Sequence, residues 1–390
     1  MTVRTLLLAA GLVAALCPGA RAADCASTAG LPWPAPGWRV EPTPPDRADA
    51  VRAVDAYAFP EGLDEAAKEG VRTNGLVVVR DGAIVHERYA RGFGPDTPHI
   101  AWSVSKSVLH AVYGAAVRDG LVDIDRPVAE RSPWIGQGDK ARATYRDLLA
   151  MRSGLDFQEA YEFAPLKSSV VAMLYTRGRR DMGLFAAGHP QAAPPGAEWS
   201  YKSGDSLILA RALRDLVGPD RYPDYPWTAL FDRIGVATAT WERDGEGVLV
   251  GSSYLYATPR DLARVGLLYL RDGCWAGAER VLPEDWVAYA GRPVTAAPDE
   301  RAAEREEPQA RRGPAAYGAH WWLNRRVDGG RTEAGLPADV LVASGHWGQR
   351  LIVLPGHRLV VVRTGDDRGG RLADDTLLPL VIAAFGSRPS

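Results

Sequence analysis

Short strand-like segments stand near both ends of this 390-residue chain, and helical patterns fill the part between them. Residues 75–79 and 83–89 are β-branched runs on either side of Arg80-Asp81-Gly82, a pattern that predicts a hairpin. Four later segments also read as strands: 317–324, 340–344, 350–354 and 359–363, the last two joined at Pro355-Gly356. This order predicts an α+β fold in which both chain ends build one antiparallel sheet, flanked by helices, and a mostly helical lobe is inserted.

Helical periodicity and end signals divide the chain further. They predict helices at 103–119, 204–217, 259–271 and 373–385, a short helix around 63–69, and a helix capped by Thr144 with Asp147. We therefore expect an α/β domain of residues 23–125 and 250–390, and a mainly helical domain of residues 126–249.

The first 22 residues have the pattern of a signal peptide. Arg4 is followed by an apolar run and by Ala20-Arg21-Ala22, a small-x-small cleavage site. That run is too short to span a bilayer, and no later stretch is long and apolar enough. The sequence predicts export, to the periplasm or the medium, with no transmembrane segment.

Charge and cysteine content limit the partners. A formal net charge of −2 with interspersed signs gives no reason to expect nucleic acid. The mature chain keeps Cys25 and Cys274, which an oxidising compartment can join, although two unpaired cysteines are an equal alternative. No metal-binding spacing occurs, so we expect no metal and no cofactor.

Ser103 and Lys106 are the first candidates for chemistry. They lie three residues apart at the start of the 103–119 helix, so both side chains project from one face. Five of the 46 basic residues are lysines, and Lys106 alone among them has a serine three residues before it. A buried lysine can lose its proton and act as a base, whereas arginine stays charged. The alternative is an N-cap serine beside a solvated lysine.

Two further segments carry candidate site residues. Tyr201-Lys202-Ser203 precedes the 204–217 helix, and Gly345-His346-Trp347-Gly348-Gln349 lies between two strands. Each has an ordinary structural interpretation, a core tyrosine with an N-cap serine in one case and a glycine-rich turn in the other.

Taken in order, Ser-x-x-Lys, Tyr-x-Ser and His-x-Gly resemble the motifs of the class C β-lactamase-like serine hydrolases, a penicillin-recognising superfamily. Segments such as LYATPRDLARVGLLYLRDGCW extend the resemblance over nearly the whole mature chain. Within the superfamily, Tyr-x-Ser and Gly-His-x-Gly-Gln are most similar to 6-aminohexanoate-dimer (nylon-oligomer) hydrolases and related esterases.

The resemblance implies a serine hydrolase, of carboxylesterase or amidase type, that forms an acyl-serine intermediate. It assigns Ser103 as nucleophile, Lys106 as its activator and Tyr201 as general acid/base, and it leaves open which of the last two is the base. The backbone N–H groups of Ser103 and Gln349 would form the oxyanion hole. Ser203 would orient Lys106 or contact substrate, and substrate would also contact the side chains or backbone of His346, Trp347, Gly348 and Tyr161.

The departures from the superfamily pattern bear on the substrate. His346 and Trp347 replace the Lys-Thr of the Lys-Thr-Gly motif, and Ser203 replaces an asparagine, which weakens the case for β-lactams. A small ester or amide is therefore the expected substrate. A D,D-peptidase, D-aminopeptidase or β-lactamase is the enzymatic alternative, and an inactive member that only binds is the other.

Overall fold

The protein is described here by a computed structural model covering residues 25–28, 30–34, 37–161, 166–276, 279–294, 316–368 and 372–386. The predicted signal peptide, residues 1–22, lies outside these ranges. None of the helices within them has the length and apolar character needed to cross a bilayer.

The main sheet draws its strands from both chain ends. The strands of all sheets in the described residues are β1 Thr73–Arg80, β2 Ala83–Tyr89, β3 His99–Ile100, β4 Thr240–Trp241, β5 Leu255–Ala257, β6 Cys274–Trp275, β7 Glu279–Arg280, β8 Ala316–Tyr317, β9 Trp322–Leu323, β10 Leu341–Gly345, β11 Gln349–Leu354 and β12 Leu359–Gly365. Seven of them pair antiparallel in the order β2-β1-β12-β11-β10-β9-β8. The predicted fold class is confirmed.

Helices flank the sheet, and most of them lie in the sequence between its N-terminal strands and its C-terminal strands. They are α1 Ala48–Ala58, α2 Val104–Arg118, α3 Tyr145–Leu149, α4 Ser169–Tyr175, α5 Met182–Ala187, α6 Ser203–Val217, α7 Asp232–Ile234, α8 Pro259–Leu270, α9 Trp286–Ala290 and α10 Asp374–Phe385. The predicted capping box of α3 is present, because Thr144 Oγ1 accepts from the Asp147 N–H and the Asp147 carboxylate accepts from the Thr144 N–H.

Two predicted elements were wrong. No helix forms at 63–69, because the Asp64 carboxylate accepts from the N–H groups of Ala66 and Ala67 and closes a turn instead. The segment 317–324 is two short strands, not one. Its chain turns at His320, whose φ is +56° and whose N–H and Nδ1 both bond the carbonyl of Leu149.

Each face of the sheet packs against its own hydrophobic core, which the alternation along β1 illustrates. Leu76 and Val78 face a cluster that includes residues of α1 and α10. Val77 and Val79 face the larger cluster that contains α2, α6 and α8. Thirteen of the fifteen residues of α2 are buried, so this helix is enclosed on all sides. A polar group on this helix that lacks a hydrogen-bond partner therefore costs stability.

The sequence left the pairing of Cys25 and Cys274 open, and the structure joins them in a disulfide with a Cα–Cα distance of 5.3 Å. The bridge ties the start of the described chain to β6. Nearby, the centroid of the Trp33 ring lies 5.0 Å from that of Trp275. The Arg271 guanidinium lies over the Trp33 ring, 4.1 Å from its centroid.

Candidate active site

Ser103 stands immediately before α2 and is partly exposed. Its backbone is helical, and its side chain makes no capping hydrogen bond, so it is not an ordinary N-cap serine. The preceding Trp102 has φ +48°, a left-handed conformation that bulky residues rarely adopt. Such conformations concentrate at functional sites, and here the chain bend leaves the Ser103 hydroxyl beside Lys106.

Lys106 lies one helical turn further along and is 1% exposed, which excludes a solvated lysine. Its Nζ is 2.9 Å from Ser103 Oγ, 3.0 Å from Ser203 Oγ and 3.0 Å from the carbonyl oxygen of Ser252. Three elements supply these partners: the start of α2, the start of α6 and the turn before β5. β5 is held beside Ser103 because it pairs with β3 and its Leu255 carbonyl accepts from the N–H of Ala101.

The direction of each hydrogen bond at Lys106 follows from what its partner can do. Ser203 Oγ donates its single proton to Glu159 Oε1, 2.5 Å away, so it can only accept from Lys106. The Ser252 carbonyl is an acceptor only. Two N–H groups of Lys106 are thereby committed. In the neutral amine, the remaining lone pair faces Ser103 Oγ.

Burial controls the protonation of this amine. It lowers the pKa of Lys106 from 10.5 to about 8, although the negative charge of Glu159 opposes the shift. A substantial fraction of Lys106 is therefore neutral near pH 8. An arginine at this position would keep its proton.

Glu159 is a site residue that sequence reasoning missed. It is 7% exposed, and both its carboxylate oxygens accept from Ser203, Oε1 from the hydroxyl and Oε2 from the backbone N–H at 2.7 Å. This pair of bonds fixes the Ser203 rotamer at the N-terminus of α6. The only signal in the sequence was its place two residues before Tyr161. No spacing rule links it to a partner 44 residues away.

Tyr201 reaches the amine from the loop before α6. The Lys106 Nζ lies 4.9 Å from the centroid of the Tyr201 ring. The Tyr201 ring also stacks on Trp322 of β9 at a centroid distance of 5.2 Å. The structure therefore brings the three predicted catalytic side chains, those of Ser103, Lys106 and Tyr201, to one place.

Residues His346–Gly348 form a tight turn between β10 and β11, with left-handed φ values of +55° at Trp347 and +89° at Gly348. The turn lies close to the backbone that precedes Ser103. A Cβ on Gly345 would stand 2.4 Å from the carbonyl oxygen of Ala101, a distance that glycine alone permits.

Aromatic side chains surround this turn. The His346 ring stacks on Tyr161 at 5.2 Å, and Trp102 contacts His346 at 5.5 Å and Trp347 at 5.4 Å. Burial, and after it the charge of Glu159, raise the pKa of Tyr161 well above its usual value, so its phenol stays protonated. Across the described residues, no group of three or more His, Cys, Asp or Glu side chains is arranged to hold a metal ion.

Known proteins share this architecture. The Beta-lactamase family profile matches residues 61–378. The 6-aminohexanoate-dimer hydrolase of Paenarthrobacter ureafaciens is 31% identical over 258 residues, which are 64% of this chain and 64% of that enzyme. The match thus spans a little under two thirds of the relative.

Two solved structures show the same fold. A candidate 6-aminohexanoate-dimer hydrolase from Bacillus anthracis has a TM-score of 0.64 at 19% identity, over 90% of this chain and 88% of that one. A family VIII carboxylesterase has a TM-score of 0.61 at 16% identity, over 88% of this chain and 98% of that one.

Proposed function

The chain belongs to the Beta-lactamase family. We propose that it is a serine hydrolase that cleaves small ester or amide bonds through an acyl-enzyme formed on Ser103. The observation that carries this proposal is the hydrogen-bond set of Lys106. Two of its three partners can only accept, so the neutral amine offers its lone pair to the third, the Ser103 hydroxyl.

Acylation begins with Ser103. Its Oγ attacks the substrate carbonyl carbon while its proton passes to the Nζ of Lys106, which gives a tetrahedral intermediate. Collapse of that intermediate breaks the bond to the leaving oxygen or nitrogen. Tyr201 donates a proton to this leaving atom, and the Lys106 ammonium replaces the phenol proton.

Deacylation repeats the sequence with water. A water molecule attacks the acyl carbon and gives its proton to the Lys106–Tyr201 pair. Ser103 Oγ then leaves and recovers a proton. One water is consumed, and a carboxylic acid and an alcohol or amine are released.

The negative oxygen of each intermediate needs fixed donors. We assign this role to the backbone N–H groups of Ser103 and Gln349, in keeping with the motifs that both residues belong to. Donors held in place before the reaction cost no reorganisation when charge develops, and removing one such donor typically lowers the rate ~10²–10³-fold.

The rings of Tyr161, Trp102 and Trp347 favour an uncharged, apolar acyl group over an anionic one. The position where β-lactam-active relatives carry lysine is His346, set between the rings of Tyr161 and Trp102. Arg368, which stacks on Trp347 at 3.8 Å, is paired with Asp366. This arrangement supports neutral esters and amides as substrates, ahead of β-lactams and D-Ala-terminated peptides.

A fluorophosphonate probe tests the nucleophile. We expect it to label the wild type at Ser103, and we expect Ser103→Ala to lose both labelling and p-nitrophenyl ester turnover. Ser107→Ala is the matched control, because Ser107 lies on the same buried helix but bonds the His320 carbonyl. Labelling at another residue, or turnover by Ser103→Ala at the wild-type rate, would refute the proposal.

A substrate panel tests the class. Neutral p-nitrophenyl esters and aminohexanoate oligomers should be turned over with higher kcat/KM than penicillins or D-Ala-D-Ala peptides. Preferential acylation by labelled penicillin would instead favour the peptidase or β-lactamase alternative.

A further inference from the structure

Buried groups bond the carbonyl oxygens of the turn that contains Gly348. The Gly348 carbonyl accepts from Arg363 Nη1 at 2.9 Å. The Trp347 carbonyl accepts from the backbone N–H of Asp367 at 3.2 Å and from the Gln349 side chain at 3.3 Å. The carbonyl of His346 also accepts from Gln349 Nε2, at 3.1 Å. All three peptides of the turn are therefore fixed through their carbonyl oxygens.

Arg363 is a built part of this arrangement. It is fully buried, its Nε donates to Thr73 Oγ1 at 2.9 Å, and its Nη1 and Nη2 both bond the Asp367 carboxylate. Asp367 in turn accepts from the N–H of Arg72 at 2.6 Å.

Two glycines make room for the guanidinium. A Cβ on Gly348 would lie 2.1 Å from Arg363 Nη1, and a Cβ on Gly365 would lie 2.3 Å from the same atom. Any side chain at either position would displace the guanidinium from the Gly348 carbonyl. The backbone of the turn and the cation are thus fitted to each other.

We propose that Arg363 is a positioning residue that holds the oxyanion donor of this enzyme through the Gly348–Gln349 peptide; this rests on the proposed role of the Gln349 N–H. In a trans peptide the C=O and N–H point in opposite directions, so fixing the Gly348 oxygen fixes the direction of the Gln349 N–H. A charge-assisted bond to the oxygen also polarises the peptide and strengthens its N–H as a donor.

The competing explanation is that Arg363 and Asp367 only stabilise the fold. Arg350 offers a matched control, because it pairs directly with Arg363 across β11 and β12. It also binds a carboxylate, that of Asp374, and a backbone carbonyl, that of Gln349 at 3.0 Å. That carbonyl belongs to the next peptide, which does not contain the Gln349 N–H.

The test compares Arg363→Lys with Arg350→Lys. Lysine keeps the charge beside the carboxylate but loses the planar fork that reaches both partners. For Arg363→Lys we expect kcat on a p-nitrophenyl ester to fall between about 10- and 100-fold, less than for outright loss of an oxyanion donor, with KM changed less than about threefold. Affinity for phenylboronic acid, whose Ser103 adduct places an oxygen in the oxyanion site, should fall in parallel. Arg350→Lys should change neither by more than about threefold.

The outcomes separate the two proposals. If the fluorophosphonate fails to label wild-type Ser103, the proposed function fails. If Ser103 is labelled and folded Arg363→Lys keeps wild-type kcat and boronate affinity, the inference about Arg363 alone is refuted.

A second variant covers the case in which Arg363→Lys does not fold. Arg363→Met with Asp367→Asn removes both buried charges and leaves an acceptor for the Arg72 N–H. It should show the same loss of kcat and of boronate affinity. Wild-type values in this folded double variant would equally overturn the inference.

Discussion

Lys106 and Arg363 are two buried cationic side chains, and they are held in opposite ways. Lys106 bonds two hydroxyls and a carbonyl, and the Glu159 carboxylate is bound to it through the Ser203 hydroxyl. Arg363 bonds the Asp367 carboxylate directly through two nitrogens. A buried amine without a direct carboxylate partner can release its proton. A guanidinium in a direct ion pair cannot, and it serves to hold a backbone peptide.

The largest expected effect is that of Lys106→Arg, which removes this contrast by giving both sites a guanidinium. Charge survives but the base does not, so we expect kcat/KM to fall about 10⁴-fold, at the upper end of general-base contributions. Ester hydrolysis at saturating and limiting substrate measures it. Lys140→Arg, at a partly exposed lysine that bonds the Ala187 carbonyl, is the control and should keep wild-type activity. Near-normal turnover by Lys106→Arg would exclude Lys106 as base.

Asp367→Asn tests the other half of the contrast. It leaves the buried Arg363 without its ion-pair partner, so we expect the free energy of unfolding to fall by about 3–5 kcal/mol. Urea unfolding followed by circular dichroism measures this. Asp374→Asn, which breaks the partly exposed pair with Arg350, should cost less. Equal losses in the two variants would show that burial does not distinguish these pairs.

These two cations also show how far the sequence could be read. Ser103 and Lys106 were predictable because helical spacing alone brings them to one face. The hairpin at Gly82, the capping box at Thr144 and the antiparallel sheet rest on similarly local patterns. The roles of Glu159 and Arg363 were not predictable. Ser203 lies 44 residues from Glu159, and the Gly348 carbonyl lies 15 residues from Arg363, with no periodicity between them. The family resemblance supplied Tyr201 and the His346–Gln349 turn, which no local pattern identifies. The two domain ranges stay a prediction.

Stability should depend on pH through Lys106. Its folded pKa of about 8 lies below the ordinary 10.5, so the unfolded chain binds more protons between these values. The wild type should therefore gain stability over Lys106→Met as pH rises from 8 towards 10.5, by about 3 kcal/mol in total. Urea unfolding of both proteins across that window gives the difference, in which the groups they share cancel. Parallel curves would mean that Lys106 is charged in the folded state.

Glu159→Gln should have the smallest effect of these variants, and it bears most directly on the contrast between Lys106 and Arg363. Glu159 raises the pKa of Lys106, so its loss should move the acid limb of the kcat/KM profile to lower pH. The amide would also donate a hydrogen bond to Ser203 Oγ, so the Ser203 hydroxyl would have to donate its own proton elsewhere. That proton would then point at the Lys106 lone pair and compete with the Ser103 hydroxyl for it. We therefore expect kcat to fall between about 10- and 100-fold.

Asp205→Asn is the matched control for Glu159→Gln. Asp205 accepts from the hydroxyl and the N–H of Ser153 just as Glu159 does from Ser203, but Ser153 does not bond Lys106. The control should lose stability and keep the wild-type acid limb. If instead the limb moves in both variants or in neither, Glu159 does not tune the base. The low pKa of Lys106 would then be set by burial alone.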